Sequence, residues 1–223
     1  MYKFITTLLL FGAILPIGSG QLTILDGGGV QWTTLPGVNA AINHYNTSNS
    51  NISDGLTPMH LNGVFDIGMG YRVLSSSIEL LYHYSSMTSH GKTTSGQLPK
   101  EYGLSLKRFS HSVSCTYNID VERWGAGIGM AYHFINYKWT DEASKIKKMP
   151  IRTSPGYWAV TGALHYAVFQ SDYIRLTLRP YVNYPVTHQK TTQLYRLLGT
   201  DGPTHSKELT FGLRILFSNG PQS

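Results

Sequence analysis

From Leu61 onward the chain alternates apolar and polar residues with a period of two, in segments that mostly run to ten residues or more. Two is the strand period. Segment length narrows the choice, because a tilted membrane-crossing strand needs about 9–11 residues whereas strands of soluble proteins cluster near about 5–6. In 61–73, Leu61, Gly63, Phe65, Ile67, Met69, Tyr71 and Val73 oppose Asn62, Val64, Asp66, Gly68, Gly70 and Arg72. In 78–87, Ile78, Leu80, Tyr82 and Tyr84 oppose Glu79, Leu81, His83 and Ser85. In 108–119, Phe109, Val113, Cys115, Tyr117 and Ile119 face away from Arg108 and a row of Ser, Thr and Asn, with His111 as the one misfit. The pattern returns in 124–137, where Trp124, Ile128, Met130, Tyr132 and Phe134 oppose Gly125, Gly127, Gly129, Ala131 and His133. It continues in 157–169, where Trp158, Val160, Leu164, Tyr166 and Val168 oppose Tyr157, Thr161, Ala163, His165 and Ala167. The last two segments are the clearest: Ile174 to Tyr184 against Arg175, Thr177, Arg179, Tyr181 and Asn183, then Leu209, Phe211, Leu213, Ile215 and Phe217 against Glu208, Thr210, Gly212, Arg214 and Leu216.

The connections alternate in length. Short ones at 74–76, 120–123 and 170–172 are interleaved with long ones at 89–103, 138–156 and 189–207. Tight turns at one end and long loops at the other are what an up-and-down membrane barrel produces. Parity then sets the count. If the last strand descends, so does 61–73, and an ascending strand must precede it upstream of the polar stretch 46–57; the candidate is 22–34, which contains Gly27-Gly28-Gly29. The total is eight. Residues 35–46 do not alternate, and Val38, Ala41, Ile42 and Tyr45 recur at helical spacing after a Pro-Gly start, which predicts a short helix in the first outer loop. The competing reading carries the first strand through that region.

The first twenty residues form a separate unit. Lys3, the apolar run 4–17 and the small residues Gly18-Ser19-Gly20 have the layout of a secretory signal peptide cleaved near Gly20. Gly12 and Pro16 interrupt a run already short for a spanning helix. Residues 21–223 then read as one domain. With one cysteine, Cys115, there is no intramolecular disulfide framework, and a closed ladder is the alternative means of holding an exported chain together. Charged residues make up only 13% of the sequence, fewer than a soluble exported protein usually carries. The net charge of +6 is spread over loops and isolated strand positions, without the Lys/Arg stripe and interleaved aromatics of a nucleic-acid binder; acidic lipid or polysaccharide suits it better.

The signal peptide, eight alternating strands over about 22–217, and the closing strand Leu209-Thr-Phe-Gly-Leu-Arg-Ile-Leu-Phe217 together resemble small outer-membrane β-barrel proteins of the OmpA/OmpX-like type, those of Bacteroidota among them. The resemblance implies an all-β, eight-stranded antiparallel transmembrane barrel in a bacterial outer membrane. It further implies outer-membrane lipid as its surroundings and the barrel-assembly machinery as partner during biogenesis; the oligomeric state is left open by the sequence, with a monomer favoured. Such barrels end on an aromatic; here Ser218 to Ser223 follow Phe217, a departure that weakens the implied docking signal.

With lipid outside, the apolar parity faces the bilayer, with Tyr71, Tyr82, Tyr84, Tyr117, Trp124, Tyr132, Phe134, Trp158, Tyr184 and Phe217 near strand ends as aromatic girdles. The polar parity puts Asp66, Arg72, Glu79, Arg108, Arg175, Arg179, Glu208 and Arg214 in the lumen. An eight-stranded interior is only wide enough for side chains to fill, so these charges are expected to pair as a plug; were they to line a narrow path, five arginines against three acids would favour anions. His83 with Ser85, His111 with Ser112, and His133 or His165 are the candidates for nucleophilic chemistry, and each reads more simply as a packed polar group. No catalytic residue, cofactor or metal is predicted: the nine histidines show no ligand spacing on a shared face. Asn46 and Asn51 begin glycosylation sequons and read as polar loop residues. In the loop after Lys138, Lys145, Lys147, Lys148 and Arg152 form a basic cluster able to meet lipopolysaccharide phosphates. The expected role is therefore structural, adhesive or surface-presenting, without chemistry of its own. The alternatives are a narrow anion-leaning channel, a membrane-embedded lipid-modifying enzyme, and a soluble barrel with its apolar parity turned inward around a ligand.

Overall fold

The computed structural model describes residues 20–95, 100–143, 146–147 and 151–220; the signal-peptide expectation falls, but for Gly20, outside them. Eight long strands follow one another: β1 (Gln21–Thr33), β2 (Leu61–Val73), β3 (Ser76–Ser95), β4 (Lys100–Val121), β5 (Trp124–Asp141), β6 (Ile151–Gln170), β7 (Ile174–Pro185) and β8 (Thr210–Asn219). Each is antiparallel to the next, and β8 closes on β1 in continuous register from Ile24↔Asn219 to Thr33↔Thr210. Closure pairs β1 with β8 over this register and so removes both edges of the eight-stranded sheet there as templates for pairing with another chain. The first strand lies within a residue of the predicted span. Residues 36–48 form helix α1 (Pro36–Ser48) rather than a continued strand, with Pro36 in its first turn and Val38, Ala41 and Ile42 buried.

At one end the connections are two- or three-residue turns. Leu74 (φ 53°) and Glu122 (φ 56°) open the β2–β3 and β4–β5 turns at positive φ, the geometry that suits the twist of a two-residue hairpin but that residues other than Gly adopt at a cost of about 1–2 kcal/mol.

The other end departs from the loop expectation. Most of 89–103 is strand, paired from Ser89↔Leu106 to Ser95↔Lys100. The 138–156 region likewise shortens, because β5 runs to Asp141 and β6 begins at Ile151, with Ile146–Lys147 paired to β5. Where a strand runs past the apolar stretch both of its faces can be polar, so 88–95 (TSHGKTTS) carries no period although its backbone ladder persists.

These overhanging strands wall a second core. Met87 of β3, Leu104 and Leu106 of β4, Ile135, Tyr137 and Trp139 of β5, and Tyr157 and Ala159 of β6 turn inward. They pack against Val38, Ala41 and Ile42 of α1 and against Leu194, Tyr195, Leu197 and Leu198 of a second helix, α2 (Thr192–Leu198). Helix α2 was not foreseen within 189–207, although Leu194, Leu197 and Leu198 have helical spacing and Gly199 ends it at φ 71°. The helices are locked in place by polar contacts: Asn39 exchanges hydrogen bonds with the backbone of Met59, and Asn46 with that of Leu56. The Tyr195 hydroxyl donates to the Gly37 carbonyl, joining α2 to α1. Asn46, noted for its sequon, is thus a structural clamp.

Candidate functional site: the barrel surface, lumen and cork

The outward face is apolar where the strands share one height. Ile128 (64% exposed), Leu164 (60%), Phe65 (52%) and Ile215 (53%) present large side chains outward, while Asp66, Arg108, His165 and Glu208 are buried inside. A water-soluble ligand-binding barrel has the opposite arrangement. Phe109 to Ile119 and Trp124 to Phe134 bound this collar on two neighbouring strands, each pair ten residues apart. At about 3.4 Å per residue and a tilt of about 45° they stand about 24 Å apart along the axis, close to the apolar band of outer-membrane barrels. Aromatic contacts gather at both rims: Trp124 with Tyr166 (4.7 Å between centroids) at the turn end, and Tyr132 with Phe134 (4.7 Å) and Trp158 (4.8 Å) at the loop end. His111, the misfit in the pattern, points outward with them, hydrogen-bonded through Nδ1 to the Tyr82 hydroxyl at 2.6 Å.

All eight charged residues assigned to the interior lie there, and they form layers. Nearest the turn end, Asp120 accepts from Arg175 Nη1 (3.0 Å) and Nη2 (3.2 Å), from Arg72 Nη2 (2.8 Å) and from His165 Nε2. Arg179 grips Glu79 with two hydrogen bonds. A small apolar layer of Leu25, Leu81 and Leu216 follows. Above it Asp66 takes His83 and, at 3.5 Å, Arg214, whose guanidinium lies 3.5 Å from the Tyr181 ring centroid. Highest, Arg108 pairs with Glu208, which also accepts from the Tyr157 hydroxyl at 3.3 Å. The hub Asp120 had been assigned to a turn; the register continuing to Val121↔Trp124 places it inside as a fourth acid facing five arginines. Its signal was present, since Asp120 shares the parity of Arg108 through Asn118.

Glycine makes room for these groups. A Cβ on Gly125 would lie 2.0 Å from His165 Nε2 and 2.6 Å from Asp120 Oδ1, and one on Gly127 would lie 2.0 Å from Asn118 Oδ1. Gaps in the packing among the described residues include one bordered by Arg108, His133 and Arg214 and another by Arg72, Asp120 and Arg175. They hold about 10 and 20 Å³ of water-accessible space, room for about one water each.

The histidine candidates separate. Ser85 accepts from Gln31 at 3.1 Å rather than meeting His83. His111 faces outward while Ser112 faces inward. His133 stacks on Tyr157 at 4.6 Å, and His165 serves Asp120. His83 instead joins Asp66 to Ser114, with Nε2 2.6 Å from the Ser114 hydroxyl. That Asp–His–Ser order is the connectivity of an activated nucleophile, and it was not read from the sequence, where the three residues are far apart. Ser114 is 3% exposed at mid-height and borders neither of these two gaps, so its hydroxyl is enclosed by packed side chains.

Of the basic-loop residues, Lys145 and Lys148 lie outside the described residues, and for Lys147 and Arg152 only backbone pairing is described, to Thr140 and Asn136. Among the described residues no cluster of His, Cys, Asp and Glu suits a metal, and no helix is long and apolar enough to cross a membrane.

No protein-family model matches the chain, and no curated protein does. Among solved structures it is similar to Neisserial surface protein A at 10% identity, with 89% of this chain and 96% of that one covered and a TM-score of 0.45. It is similar to Ail, the attachment invasion locus protein of Yersinia pestis, at 7% identity, with 90% and 98% covered and a TM-score of 0.47. The outer membrane protein OprG of Pseudomonas aeruginosa follows at 9% identity, with 92% and 97% covered and a TM-score of 0.40. At such identities and TM-scores nothing of these proteins' roles passes to this chain, and the barrel described above stands on its own ladder pairing. In architecture the chain resembles small outer-membrane β-barrel proteins.

Proposed function

We propose that the chain is an integral protein of a bacterial outer membrane that holds a rigid outer surface in place, for a structural, adhesive or presenting role, without chemistry of its own. The observation that carries this reading is the inverted barrel: a bilayer-high apolar collar around an ion-paired interior, topped by a packed helical cork. Gly20 is the proposed cleavage point of the leader. The turns and both strand termini then face the periplasm, the protein is a monomer, and the assembly machinery inserts it.

Heat-modifiable migration on a gel, with recovery in a detergent-soluble outer-membrane fraction, tests the location; a heat-insensitive protein recovered in the soluble fraction would refute it. The channel alternative is opposed by the paired lumen and the cork, and planar-bilayer recordings of the purified barrel are expected to show no discrete conductance. The enzyme alternative is opposed by the enclosed Ser114, and purified protein is expected to leave labelled lipopolysaccharide and peptide intact.

A further inference from the structure

On the outer face of the overhanging strands, Lys107 of β4 stands directly opposite Lys138 of β5. Both side chains lie on the outward parity, beside Thr88 of β3. Like charges directly across a ladder repel, and neither lysine has a carboxylate partner among the described residues. The nearby outward acids are engaged: Glu101 by Lys92 at 2.9 Å, and Glu142 by the Gly103 amide at 3.0 Å.

Their height is informative. Lys107 is two residues beyond Phe109, the upper bound of the apolar collar on β4, which puts the pair about 5 Å above it, at headgroup level. The Lys107 ammonium folds back over the Phe109 ring at 5.1 Å from its centroid rather than reaching away from the barrel. One row below, Asn136 lies opposite Phe109, and its backbone partner on β6 is Arg152. Beneath that row the outward surface continues as Phe134, His111, Tyr82 and Tyr84, on which acyl chains can lie.

We propose that Lys107 and Lys138 form a two-lysine clamp for the phosphate of an anionic lipid in the outer leaflet, whose chains run down the aromatic surface below. A shared phosphate turns the repulsive pair into two charge-assisted contacts, and the apolar surface selects a lipid over a free anion. The proposal rests on the outer-membrane reading, but it assigns the contact to rigid strand positions rather than to the loop.

The test is quantitative lipid retention. The full mature chain is placed in phosphatidylcholine nanodiscs doped with bis-phosphorylated lipid A or its dephosphorylated form, and bound lipid is measured by native mass spectrometry. At about a factor of five per lysine near a charged surface, Lys107→Gln/Lys138→Gln is expected to lower retention of the phosphorylated form at least about tenfold. Each single variant should lose part of this, and the dephosphorylated form should bind no better to wild type than to the double variant. Lys145→Gln/Lys147→Gln/Lys148→Gln should retain the wild-type amount, and millimolar inorganic phosphate should not displace the lipid. Unchanged retention in the double variant would overturn the proposal; so would loss confined to the loop variant, or displacement by inorganic phosphate. A wild-type chain that does not enter the nanodisc defeats the membrane reading itself, a visibly different failure. Heat-modifiable migration of each variant verifies folding; since the substitutions remove a repulsion, lipid-free stability in detergent should hold or rise.

Discussion

Asp120→Asn isolates the hub of the turn-end charge layer. The carboxylate accepts four hydrogen bonds from Arg72, Arg175 and His165. Asparagine retains one acceptor oxygen and turns an amide toward the same donors. Arg175, 3% exposed, is left as a buried cation without a counter-charge, a situation that costs about 3–5 kcal/mol. The side chain of Arg72 keeps 15% exposure, so water screens part of the loss and the expected penalty is near the lower end, about 3 kcal/mol. Arg72→Gln should cost less than about 1 kcal/mol, because Asp120 keeps Arg175 and His165. In the double variant Asp120→Asn/Arg175→Gln the stranded charge is gone, and a coupling of at least about 1 kcal/mol is expected between the two sites. Urea unfolding of the barrel folded into lipid vesicles, followed by tryptophan fluorescence, measures all five proteins: wild type, the three single variants Asp120→Asn, Arg72→Gln and Arg175→Gln, and the double variant. If Asp120→Asn cost under 1 kcal/mol, or if the double variant were additive, the lumen would not be the ion-paired plug derived above.

Three further outcomes follow from particular contacts. Gly125→Ala drives a methyl into His165 and Asp120 and should destabilise the same layer by about 1–3 kcal/mol in the same assay, with little added effect once Asp120 is Asn. Ile42→Ala empties a fully buried position of the cork, worth about 2–5 kcal/mol of local stability; limited proteolysis should cut within 36–48 faster while heat-modifiable migration of the barrel persists. Glu122→Gly removes a side chain from positive φ and should raise unfolding stability by up to about 1 kcal/mol; a clear loss in urea unfolding would show that the turn is not strained.

Along the apolar collar, each strand residue faces either the outer surface or a crowded lumen, and in this barrel the two faces carry opposite chemistry, so the faces of β2 through β8 are legible residue by residue. The eight charged lumen positions followed from the same parity. Where that contrast ends, legibility ends with it. Residues 88–95 meet water outside, and nothing in their composition betrays a strand. The inward apolar residues Leu104, Leu106, Tyr137 and Trp139 continue a parity that is polar lower down; only α1 and α2, contributed by distant loops, explain the reversal. Asp120 was lost for a different reason: next to Glu122 and Arg123 it looked like turn chemistry, and one residue of strand length decides whether it faces water or Arg175. The pairing of Asp66, His83 and Ser114 depends on register across three strands, which periodicity does not determine.

The helical cork constrains how the protein can be built and altered. Its lining on β3 to β6 is apolar and is covered only by α1 and α2, and the two helices reach it from opposite sides of the β1–β8 seam. The first and fourth loops are therefore structural parts of the molecule, not interchangeable cargo. Foreign peptide grafted across Val38 to Ile42 or Leu194 to Leu198 would leave the mouth unsealed, whereas the exposed turn at Asn49 to Asn51 offers a place where new surface can be added without opening the lid.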